Sequence, residues 1–215
     1  MGAIVQIDPD KIIPSALHRI SREIVRGGVV LFPTETIYGL GCDSTNEKAV
    51  ERIFAIKKRP ETKPMIVLVR NMTMLRELVG VIPQLATSLI ERYWPGPLTM
   101  LFDAARNVSH ALTSGTRKIG VRMPGSTFCL NLLEESGKPI VSTSANISGG
   151  SISTDIASMK DIFLDKVDLF VDAGPLPHSL SSTIVDVSGT RLVLVREGAI
   201  PWNEIESFEK KITGD

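Results

Sequence analysis

The chain is poor in cysteine: Cys42 and Cys129 are the two among 215 residues, and they lie far apart. This excludes a disulfide-built scaffold, and the thiols read as small buried side chains. His18, His110 and His178 are isolated, so no Cys/His spacing suggests zinc and no metal is expected to be held by the protein. No apolar run approaches the roughly 18 residues of a membrane helix. The N-terminal MGAIVQIDPDK lacks the basic start and apolar centre of a signal peptide, and Gln6 breaks the myristoylation pattern after Gly2. The expectation is a cytoplasmic protein without membrane contact. Formal net charge is zero and aromatics are 5%, which argues against a binder of long polyanions with stacking platforms. No G-x-x-x-x-G-K-[ST] loop and no G-x-S-x-G elbow occur. Gly39-Leu40-Gly41 begins a dinucleotide pattern, but Ser44 stands where the third glycine belongs. Ser207 and Lys210 match S-x-x-K on a terminal amphipathic segment without its companion motifs, which is best explained by chance.

Hydrophobic content of 43% and charged content of 22% are those of a globular protein long enough to bury its own core. One domain over residues 1–215 is expected. The charge is unevenly placed. Residues 51–70 hold six basic and two acidic side chains, and residues 104–126 hold four basic ones and no acid. Local basic patches on a neutral chain suit a small anionic ligand better than a polymer.

Hydrophobic periodicity predicts helices over 15–26, after Asn46, over 83–93, from Ser126 to Glu135, over 155–163 and after Pro201. Strands are expected at 29–32, 65–69, 98–102, 119–123, 139–143, 169–171, 182–187 and 192–196, the last two joined by a hairpin at Ser188-Gly189-Thr190. Strands alternating with helices indicate an α/β fold, and the hairpin makes its sheet mixed. Ligands in such folds sit where loops leave the strand ends.

Several segments carry more polar groups than a turn needs. In FPTETIYGLG (32–41) a buried strand runs into Thr34, Thr36 and Tyr38, and two glycines let backbone approach closely. KKRPETKP (57–64) sets Lys57, Arg59 and Lys63 around a helix break, where they can meet one anion; a solvated helix end is an equal alternative on pattern alone. VSTSANISGG (141–150) offers Ser142, Ser144 and Asn146 after a strand. KIGVRMP (118–124) places Lys118 and Arg122 on an apolar strand, so a buried Arg122 needs an internal carboxylate or a bound anion. WPGPLT (94–99) reads as a structural corner. Ser182, Thr183 and Arg196 stand at strand edges in SSTIVDV and LVLVREG.

As an ordered set over residues 10–200, these segments resemble the threonylcarbamoyl-AMP synthase, or YrdC-domain, family in its short form. The resemblance implies a twisted, open, mixed α/β sheet flanked by helices, with a large positively lined cavity. It implies condensation of L-threonine, bicarbonate and ATP into threonylcarbamoyl-AMP and pyrophosphate. Partner proteins then carry the threonylcarbamoyl group to the adenosine beside the anticodon of tRNAs reading codons that begin with A; direct tRNA contact stays open.

By the same resemblance, Lys57 and Arg59 are catalytic. Lys57, Arg59, Lys63, Lys118, Ser142, Ser144, Asn146 and Arg196 bind ATP, whose phosphates bring Mg²⁺. Thr34, Thr36, Tyr38, Arg122 and Ser182 surround threonine, with Arg122 on its carboxylate and Tyr38 walling the cavity. The alternatives are a non-catalytic module binding tRNA or double-stranded RNA, and an adenylate-forming enzyme for another amino acid.

Overall fold

A computed structural model describes residues 2–58, 65–150, 156–176 and 180–214. The strands are β1 (Ala3–Gln6), β2 (Val30–Phe32), β3 (Gly39–Gly41), β4 (Ile66–Leu68), β5 (Leu98–Asp103), β6 (Lys118–Arg122), β7 (Ile140–Val141), β8 (Thr143–Ser144), β9 (Leu169–Asp172), β10 (Thr183–Asp186) and β11 (Val193–Arg196). The helices are α1 (Pro14–Val25), α2 (Glu47–Lys57), α3 (Met72–Leu78), α4 (Gln84–Tyr93), α5 (His110–Thr113), α6 (Thr127–Ser136), α7 (Ile156–Phe163) and α8 (Trp202–Thr213).

The mixed α/β character holds, but the strands divide into two sheets. One runs β1-β9-β2-β3-β8 and the other β11-β10-β5-β6-β4-β7. The expected strand at 139–143 is two short strands, one in each sheet, and Ser142 is the residue between them. The chain therefore crosses from sheet to sheet at that serine.

Local chemistry explains the helix ends. The Asn46 side chain accepts from Ala49 N–H at 3.2 Å and that of Ser126 from Cys129 N–H at 3.3 Å, each satisfying a donor of a first turn. Helix α1 starts at Pro14 and ends at Val25, and Gly27 beyond it, with φ of +89°, closes the turn. Its Ile20 and Ile24 are fully buried beside Phe128 and Leu132 of α6, against one face of the first sheet. Strand β6 shows the period of two in the second sheet. Ile119 and Val121 enter the main core, while Gly120 and Arg122 point the other way. Both cysteines are buried and free, and burial pushes the Cys129 thiol up to about 12. Among the described residues, no helix is long and apolar enough to cross a membrane.

Asp168 ties α2 to the first sheet. It accepts from Val29 N–H at 2.7 Å and pairs with Arg52 at 2.8 Å. Burial works to raise its carboxyl, but the Arg52 and Val29 hydrogen bonds prevail and hold it below the usual carboxylate range. A depressed native pKa stabilises the fold above the unfolded value of about 4 and loses that contribution as pH falls through the native one. The stability gap between wild type and Asp168→Asn, measured by denaturant unfolding, is therefore expected to be full at neutral pH and to close in acid.

Candidate functional site

The face of the second sheet turned away from the core forms the floor of a cavity of about 520 Å³. Strand register builds it row by row. Ile66 of β4 lies opposite Gly120 of β6, which lies opposite Leu101 of β5. A Cβ on Gly120 would stand 3.3 Å from both the Ile66 and Leu101 side chains, so glycine keeps that row low. In the next row Leu68 lies opposite Arg122, Thr99 opposite Ile184 and Ile184 opposite Arg196. One row of the sheet thus brings both arginines to the cavity. Thr34, Thr36, Ile37 and Gly39 wall one side, and the 142–144 crossover walls another. The floor is apolar, the walls carry hydroxyls, and the charged residues among the described lining are the two arginines.

Arg122 is 5% exposed. Its Nη2 donates to Glu35 Oε1 at 2.6 Å, Nε to Gly96 O at 3.0 Å and Nη1 to Thr36 Oγ1 at 3.3 Å. The buried arginine thus has an internal carboxylate, and Gly96 in the Trp94–Pro97 corner is more than scaffold because its carbonyl holds Arg122. Arg196 donates to Ser182 O at 2.7 Å, and Ser182 Oγ meets Thr99 Oγ1 at 2.9 Å. Burial first, and Arg122 second, lower the Arg196 pKa, so the two cations share one field.

The Thr34 hydroxyl donates to Ile37 O at 2.6 Å and accepts from Ile37 N–H at 3.1 Å. It braces the 34–37 turn that forms the wall. Lys57, 1% exposed, leaves the end of α2 and donates to Ser144 O, to Asn146 O at 2.7 Å and to Asn146 Oδ1 at 3.1 Å. Ser144 Oγ donates to the same Asn146 Oδ1 at 2.6 Å. Lys57, Ser144 and Asn146 therefore form one network, with Ser144 on the cavity wall.

Four expected site residues among those described do not line the cavity: Lys57 and Asn146, which join it through Ser144, and Tyr38 and Lys118, which lie elsewhere. Tyr38 is 2% exposed in the main core, where its hydroxyl donates to Gly174 O at 2.8 Å and accepts from Ala173 N–H at 2.9 Å. Burial pushes that phenol up to about 12. It anchors the segment after β9 and does not wall the cavity. Lys118 shares the face of Arg122 but sits four residues earlier on β6, about 13 Å away along the strand. There it is paired with Asp186. Arg59 and Lys63 lie outside the described residues. Glu35, Thr99 and Gly96 were not singled out from sequence. Glu35 was the readable one, being a carboxylate inside the same polar loop as Thr34 and Thr36.

This architecture defines a class: an α/β protein of two mixed sheets with a small-ligand cavity lined by hydroxyls and arginines. Residues 22–198 match the Sua5/YciO/YrdC family, described as telomere recombination. The threonylcarbamoyl-AMP synthase of Pyrococcus abyssi is 39% identical over 189 residues, 87% of this chain and 56% of its own length. That of Pseudoalteromonas translucida is 39% identical over 76% of this chain and 88% of its own length. A crystal structure of P. abyssi Sua5 complexed with L-threonine superposes with a TM-score of 0.89 at 35% identity, covering 96% of this chain and 60% of that one. The chain belongs to the Sua5/YciO/YrdC family. It spans little more than half the length of its P. abyssi relative.

Proposed function

We propose that this chain is a single YrdC-like domain that makes threonylcarbamoyl-AMP and pyrophosphate from L-threonine, bicarbonate and ATP. The observation that carries the reading is the convergence of Thr34, Thr36, Arg122, Ser142, Ser144, Ser182 and Arg196 on one cavity of about 520 Å³. That volume is in the range of small-molecule sites. Relatives named for this activity, and one solved with L-threonine, support it.

In this reading the threonine amine, as free base, attacks the carbon of bicarbonate. Hydroxide leaves and takes up the amine's proton as water, giving the carbamate. A carbamate oxygen then attacks the α-phosphorus of ATP while the bond to pyrophosphate breaks. The nucleophile belongs to the substrate, so the protein's work is orientation and charge stabilisation. Arg122 takes the threonine carboxylate, with Thr34, Thr36 and Ser182 around the side chain. Lys57, Arg59, Lys63, Ser142, Ser144, Asn146 and Arg196 serve the nucleotide. The cavity's donors are hydroxyls and guanidinium groups and its nearest carboxylate is bonded to Arg122, a set that does not fit a resident metal. Mg²⁺ arrives on the ATP phosphates. In the same reading the product passes to proteins that modify tRNA, and the chain works in the cytoplasm.

Pyrophosphate release by the purified chain tests this. Release is expected to require threonine and bicarbonate together. Thr34→Ala, by loosening the 34–37 turn, is expected to raise the apparent KM for threonine about tenfold, the effect of losing one or two hydrogen bonds. Release that ignores threonine, or no release from folded protein, refutes the reading.

A further inference from the structure

Glu35 is the one carboxylate hydrogen-bonded to a cavity arginine among the described residues. Its Oε1 takes Arg122 Nη2 at 2.6 Å and also accepts from Gly125 N–H. Its Oε2 is shielded from solvent and has no donor among the described residues. Arg122 therefore supplies most of the compensation for this charge. A guanidinium has five N–H donors. Gly96 takes Nε–H, Thr36 one on Nη1 and Glu35 one on Nη2, which leaves one on each terminal nitrogen. Two donors on adjacent nitrogens of a fixed plane match the two oxygens of a carboxylate.

The pair serves more than stability. Burying an arginine and a glutamate together commonly stabilises a fold no better than apolar residues of the same size. Its consequence lies in the cavity. Arg122 and Arg196 stand in one row of the sheet, and a bare pair of guanidinium groups there would hold any small anion. Glu35 offsets one of them within hydrogen-bond distance.

We propose that Glu35 is a positioning residue: it fixes the Arg122 guanidinium for a carboxylate ligand and tempers its charge. This rests on the reading of Arg122 as the ligand of the threonine carboxylate.

The test is calorimetric titration of the full chain with L-threonine and with L-threoninamide, which lacks the carboxylate. Glu35→Gln keeps an oxygen facing Arg122 and Gly125 but removes the charge. It is expected to bind L-threonine about tenfold tighter and L-threoninamide no tighter. Glu35→Asp keeps the charge but withdraws it by one methylene. It is expected to bind L-threonine more weakly and L-threoninamide as the wild type does, because the guanidinium it misplaces serves the carboxylate. A merely structural pair would leave the threonine-to-threoninamide ratio of Glu35→Gln at the wild-type value, and that result overturns the proposal. So does an equal gain for both ligands. Arg122→Ala separates the two readings: wild-type threonine affinity in that variant refutes the role of Arg122 itself, whatever the Glu35 variants do. Absence of threonine binding to the wild type overturns both.

Discussion

Lys57→Met is expected to lower the unfolding free energy by about 3 kcal/mol and to cut threonine-dependent pyrophosphate release at least about a hundredfold. Methionine replaces the aliphatic stem well, so the effect isolates the ammonium. Three acceptors, Ser144 O, Asn146 O and Asn146 Oδ1, lose a charged donor at a part-buried place, beside a side chain that is itself 1% exposed. The consequence spreads along the chain. Asn146 Nδ2 donates to Gly150 O at 2.7 Å, and Ser148 N–H donates to Lys57 O at 2.9 Å. Lys57 therefore holds the 144–150 segment by its side chain and its backbone, and that segment begins on the cavity wall. Denaturant unfolding and pyrophosphate release, measured on the same preparation, separate two roles. Loss of both supports a lysine that organises the segment and through it the nucleotide. Loss of activity at wild-type stability shows instead that the ammonium acts on the nucleotide alone.

Lys57 also shows where sequence reading stops. Its position at a helix end with other cations suggested an anion ligand, and charge was the whole of that signal. Nothing in the local pattern tells that a serine and an asparagine nearly ninety residues later offer carbonyls to the same ammonium. Lys118 lies on the same strand face as Arg122, but the strand rise carries it about 13 Å along β6, where it pairs with Asp186 outside the cavity lining. The resemblance puts Tyr38 on the cavity wall, but its one hydroxyl is satisfied in the core by the turn after β9. What is legible follows from local rules: the Asn46 and Ser126 caps, the β10-β11 hairpin, and a buried Arg122 in need of either an internal carboxylate or a bound anion. Strand β3 was not legible, because Gly-Leu-Gly carries no β preference and is held by neighbours on both sides. The division into two sheets was not legible either, because one serine interrupts an otherwise continuous strand pattern.

That glycine strand gives the second large effect. Gly39 and Gly41 looked like room for a ligand; at Gly41 the room is taken by protein. A Cβ there would stand 2.2 Å from Val141 O and 2.5 Å from Cε1 of Phe32. The carbonyl belongs to β7 and cannot withdraw without moving the crossover at Ser142. The Phe32 ring is packed against Phe128, with centroids 6.4 Å apart, and is itself fully buried. Gly41→Ala must therefore shift backbone, side chain or both, and is expected to cost about 3 kcal/mol, near 10 °C in Tm for a chain of this size. Gly189→Ala is the matched control. Its added methyl meets Arg191 O at an ordinary 3.7 Å, and its stability is expected within about 0.5 kcal/mol of wild type. Because β7 and β8 flank Ser142 on the cavity wall, the same methyl is expected to weaken threonine binding in whatever fraction of Gly41→Ala still folds. A Gly41→Ala protein that melts with the wild type would show that the two sheets are not locked together at this strand, and the cavity wall would then owe its shape to the 34–37 turn alone.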